Sequence, residues 1–70
     1  PNPAQDKISL KSDKAIINVT IFDVSGRQVL FIKPEKSTEI AVSIIELNAG
    51  TYILRIETEG EIKTGKFIRR

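Results

Sequence analysis

Apolar residues recur at every second position along most of this chain, which is the period of a half-buried β-strand and not of a helix. Ile8 and Leu10 alternate with polar neighbours and predict a short strand near residues 6–11, after which Ser12-Asp13-Lys14 reads as a turn. Ile17, Val19 and Ile21 alternate with Asn18, Thr20 and Phe22 in a second strand, whose β-branched content suits a pleated surface. Asp23-Val24-Ser25-Gly26-Arg27 carries hairpin chemistry. The Asp can accept hydrogen bonds from its own backbone, and the Gly three residues on can take a positive φ. Residues 28–33 form a third strand, stopped by Pro34, which has no backbone donor. A fourth, less regular strand covers 38–44, and Leu47-Asn48-Ala49-Gly50 makes a tight corner. The clearest strand follows at 51–57, and Glu59-Gly60 turns it into a sixth at 61–68.

Six short strands at intervals of about 8–12 residues, punctuated by Gly and Pro, predict an all-β sandwich or barrel. The only helical competitor is 42–47, where Ile44, Ile45 and Leu47 could close one short turn. Tyr52 at the start of a late strand, after Leu47 and Gly50, is similar to the tyrosine corner of immunoglobulin-like sandwiches. The expected fold is therefore an immunoglobulin-like antiparallel β-sandwich of six to seven short strands. Pro1-Asn2-Pro3 favours extended backbone, so residues 1–5 read as the remnant of a linker and 6–70 as the domain. The first residue is Pro and not Met, which reads as a piece processed from something longer.

Composition changes the picture mainly by exclusion. The 70 residues contain no Cys, His, Met or Trp, so there is no disulfide framework, no thiolate metal site and no imidazole for acid–base work. Ser and Thr lack a His partner, and the chain reads as non-enzymatic with no catalytic, cofactor or metal residues. The carboxylates Glu57, Glu59 and Glu61 are interrupted by a Gly turn and make a poor calcium shell. Asn18-Val19-Thr20 matches a glycosylation sequon but falls in mid-strand. Gly26, Gly50 and Gly60 lie too far apart for a phosphate loop, and each is explained by a turn. Eleven basic and nine acidic residues leave a net charge of +2, with no basic stripe of a nucleic-acid binder. No apolar run approaches the length of about 18 residues that a membrane helix needs.

One cluster is left over: Lys66, Phe67, Ile68, Arg69 and Arg70. It reads either as a last strand with solvated charges or as an extended recognition tail. In chain order, Pro1-Asn2-Pro3, then 21–29 (Ile-Phe-Asp-Val-Ser-Gly-Arg-Gln-Val), then 47–56 (Leu-Asn-Ala-Gly-Thr-Tyr-Ile-Leu-Arg-Ile), then Gly65 through Arg70, strongly resemble the C-terminal sorting domains of type IX (Por) secretion cargo proteins of Bacteroidota, type A. The resemblance spans essentially the whole chain; Phe22 stands where Tyr is frequent in that family.

The resemblance implies a folded signal that directs a larger cargo protein, fused ahead of it, across the outer membrane. It implies transit through the periplasm and delivery to the cell surface or the medium. The implied partners are the translocation machinery with its β-barrel shuttle protein, and a sortase-like cysteine peptidase that removes the domain. Carried onto this chain, Lys66, Phe67, Ile68, Arg69 and Arg70 become the recognition candidates. Asp23, Gly26, Leu47, Gly50, Tyr52 and Gly60 become the residues that shape turns and the corner. If the family has seven strands, the seventh is short, irregular or upstream of Pro1. The competing expectation is a non-catalytic immunoglobulin-like or fibronectin-like binding or spacer module of a secreted enzyme. Exposed aromatic platforms for sugar are scarce, since the aromatics are Phe22, Phe31, Tyr52 and Phe67 alone.

Overall fold

The computed structural model describes residues 6–70, so the expected linker remnant at 1–5 lies outside the described residues. Five strands follow one another: β1 (Lys7–Asp23), β2 (Gln28–Ile32), β3 (Ser37–Ser43), β4 (Gly50–Thr58) and β5 (Glu61–Arg69). Every pairing is antiparallel. The sheet runs β2-β1-β4-β5, and β3 pairs with β1.

β1 pairs with three of the other four strands. Its first part pairs with β3, from Lys7 opposite Ser43 to Lys11 opposite Glu39. Its second part pairs with β4 on one side and β2 on the other, with Ile21 opposite both Leu54 and Leu30. The two strands expected at 6–11 and 17–22 are thus one strand, and five strands replace the expected six to seven among the described residues. The turn expected at Ser12-Asp13-Lys14 is a bulge. Between the pairs Lys11/Glu39 and Ile16/Ser37 the chain advances five residues on β1 against two on β3. Residues 12–15 contain neither Gly nor Pro to reverse the chain. The Lys14 amide donates to Ser12 Oγ at 3.2 Å, the strand bends, and pairing resumes at the buried Ile16.

That bend allows both parts of β1 to face a single core. Leu10 from the first part joins Ile16, Val19 and Ile21 from the second, with Val42, Ile44, Tyr52 and Phe67 from elsewhere in the chain. Ile8, Ile40, Leu30, Leu54 and Ile56 pack against this cluster. The architecture is all-β and conforms to an immunoglobulin-like sandwich, with its two layers joined through β1. The weak helical signal at 42–47 survives as one turn, in which the Leu47 amide donates to Ile44 O at 3.0 Å.

Candidate functional site

β5 ends the sheet among the described residues, and its pleat sends alternate side chains to opposite faces. Phe67 faces inward and is 6% exposed. It sits directly opposite Tyr52 in register, and the two rings stack with centroids 5.5 Å apart at an interplanar angle of 22°. Tyr52 Oη in turn donates to Asn48 O at 2.6 Å, closing the corner over the half-buried Leu47. Gly50 opens β4 at a φ of 155°, a region almost confined to glycine, and a Cβ there would meet Tyr52 Cε2 at 4.0 Å.

Arg69 is also directed back into the fold. Its Nε donates to Ile44 O at 2.9 Å, Nη2 to Ile45 O at 3.1 Å and Nη1 to Arg70 O at 3.0 Å. Two of these acceptors lie at the exit of β3, where Ile44 O also accepts the Leu47 amide. On the other face Lys66 is exposed opposite Ile53, and Ile68 is 47% exposed opposite Thr51. Arg70 lies just past the strand and is exposed.

The five tail residues therefore do not share one surface. Phe67 and Arg69 fasten the strand, while Lys66, Ile68 and Arg70 point away from the core. Reading the tail as one block missed the anchoring of Arg69 on Ile44 and Ile45. No sequence signal could have revealed it, because the acceptors are backbone carbonyls that every residue carries.

The β1–β2 hairpin is built from local contacts. Asp23 Oδ1 accepts from the Ser25 amide at 3.0 Å, Ser25 Oγ at 2.6 Å and the Arg27 amide at 3.0 Å, and Oδ2 accepts from Arg27 Nε at 3.1 Å. The Ser25 hydroxyl bond, followed by the Arg27 amide, holds the Asp23 carboxyl down at about 2, against an ordinary 3.8. Gly26 takes a φ of 90°, and its amide donates to Asp23 O at 3.0 Å. Gly60 occupies the β4–β5 turn.

Elsewhere, Glu57 Oε1 accepts from Asn18 Nδ2 at 3.2 Å, so the sequon asparagine is engaged inside the sheet. Among the described residues no three acidic, His or Cys side chains gather in a way that could hold a metal ion. Among the described residues no helix is long and apolar enough to cross a membrane.

No curated protein and no solved structure matches the chain. A family model does, the secretion system C-terminal sorting domain, and it matches residues 1–70. That match supports the sorting signal over a binding or spacer module. The corner at Tyr52, the hairpin at Asp23 and a terminal strand fastened at Phe67 and Arg69 are thus features of a chain that belongs to the C-terminal sorting domain family of type IX secretion.

Proposed function

We propose that the translocation machinery reads this domain as a folded object, through the outward tip of β5. Members of this family are C-terminal signals for type IX secretion, a role that carries the attached protein to the cell surface or the medium. Within that role, Lys66, Ile68 and Arg70 are the residues offered to the machinery, and Phe67 and Arg69 hold them in register. The supporting observation is the division of one strand into an anchored face and an exposed basic and apolar face. The partner is the machinery's β-barrel shuttle protein, met after transit through the periplasm. A sortase-like cysteine peptidase then removes the domain. The domain itself is not an enzyme; it contributes an address to the cargo ahead of it.

The test fuses a periplasmic reporter ahead of residues 1–70 in a host with type IX machinery. The intact domain should bring the reporter to the surface. Lys66→Glu with Arg70→Glu should leave it in the periplasm, while the purified variant keeps the thermal midpoint of the parent. Export undiminished by the double variant would remove the tip from the recognition surface. Removing residues 66–70 altogether is a poorer test, because it also removes the Phe67 and Arg69 anchors.

A further inference from the structure

The outer face of the β2-β1-β4-β5 sheet carries a second polar feature. Thr20 lies in mid-β1, opposite Phe31 of β2 on one side and Arg55 of β4 on the other. Two residues along, Phe22 is opposite Ile53; two residues in the other direction, Asn18 is opposite Glu57. The Arg55 guanidinium rests over the Phe22 ring, 5.7 Å from its centroid. Thr20 is 1% exposed although it points away from the core, because its neighbours close over it.

Three buried polar atoms in this patch have no hydrogen-bond partner among the described residues: Asn18 Oδ1, Thr20 Oγ1 and Arg55 Nε. Such atoms are rare in folded proteins, and their clustering in adjacent register positions calls for an explanation. Arg55 also has no ion pair among the described residues. The nearest acid on its own strand face, Glu57, is held by Asn18 instead. The result is a half-buried guanidinium resting over an aromatic ring, in a patch whose apolar members Phe31, across Thr20, and Ile53 are 52% and 40% exposed.

We propose that this patch is a docking site for a protein segment that presents a single carboxylate between apolar side chains, with Arg55 as the residue that receives the carboxylate. A guanidinium fork matches a carboxylate in two parallel hydrogen bonds, and the contact with Phe22 reduces the side-chain freedom that such a pairing costs. The exposed apolar flanks suit a protein segment. Glu57, two residues along the same face, repels a densely anionic surface but leaves room for one negative charge. The patch adjoins the β5 tip, since Ile53 lies directly opposite Lys66 in register. Its carboxylate-receiving residue is Arg55 and not Lys66 or Arg70, so the variants that test it differ from those that test the tip.

The probe is a capped tripeptide, Leu-Glu-Leu, titrated into the nitrogen-15-labelled chain and followed by the Arg55 Nε–H resonance and the Phe22 and Ile53 amides. These should move and saturate, and Leu-Gln-Leu should bind about tenfold more weakly, the loss expected for a charge-assisted pair. Arg55→Gln should abolish the shifts. Thr64→Glu is the variant that tests the site without loosening the fold, since Thr64 is exposed and directly opposite Arg55 in register. Its carboxylate should occupy the guanidinium, raise the unfolding midpoint and block the peptide. Equal binding of the two peptides, or binding that survives Thr64→Glu, overturns the proposal. So does an equal response to inorganic phosphate or to phosphatidylglycerol vesicles, which would make the site a general anion or lipid-headgroup site.

Discussion

Asp23 at the β1–β2 hairpin and Arg69 near the end of β5 each gather several hydrogen bonds on one charged side chain, but over very different spans of chain. All the partners of Asp23 lie within four residues of it. The β3-exit carbonyls that Arg69 binds lie 25 and 24 residues away. The first arrangement can form as soon as the hairpin closes. The second exists only when β3, the corner and β5 are already in place. A local cap sets a direction for the chain, whereas the distant one reports that the whole domain is assembled. A terminal strand held in the distant way is in place only when the fold is complete.

The largest effect should come from the apolar half of the distant anchor. Phe67→Ala removes a buried ring stacked on Tyr52 and should cost about 3–5 kcal/mol, read from urea unfolding. In a domain this small that is enough to leave much of the chain unfolded. A loss below 1 kcal/mol would mean that β5 is not fastened through this ring.

Arg69→Ala should come next, at about 1–2 kcal/mol, because two carbonyls lose a charged donor while water can replace part of the loss. Arg69→Lys should recover little of it, since an ammonium cannot span both carbonyls as a planar fork does. Hydrogen exchange should show faster opening in both β5 and the turn at 44–47. Opening confined to β5 would break the proposed coupling between the two segments.

The smallest effect belongs to the hairpin and is best seen as a pH dependence. The Asp23 carboxyl is held at about 2, below its ordinary 3.8. Its contribution to stability is therefore fully present above about pH 4 and is lost as the pH falls toward 2. Unfolding midpoints measured from pH 6 to 2 should fall over that window, and Asp23→Asn should remove this part of the fall. An identical acid profile in the variant would show that other carboxylates carry it.

Much of the architecture was legible because it depends on short-range rules. The alternation at 51–57 and 61–68 placed β4 and β5, and the Asp23…Gly26 spacing placed the hairpin. The Leu47, Gly50 and Tyr52 signals marked a corner that the Tyr52–Asn48 bond closes. The polar run 12–14 misled, since the same residues that make a turn in isolation make a bulge when ladder pairs at Lys11 and Ile16 hold the strand on either side. The tail was found as a segment but not resolved into its two faces. Alternation alone suggests that Phe67 is buried, but it says nothing of where the Arg69 guanidinium reaches.

By itself the sequence determined an all-β domain without His or Cys, the positions of most of its strands, and the family to which its ordered motifs belong. These follow from the period of the pleat, the chemistry of turns and the identity of side chains, none of which needs a distant partner. Only the tertiary structure decided that β1 is one bent strand serving both layers and that Arg69 is bound to the exit of β3. It alone placed Arg55 over Phe22 beside buried polar atoms that have no hydrogen-bond partner among the described residues. Those outcomes depend on which backbone carbonyls, rings and hydroxyls meet across the sheet, and the chain brings them together only when it is folded.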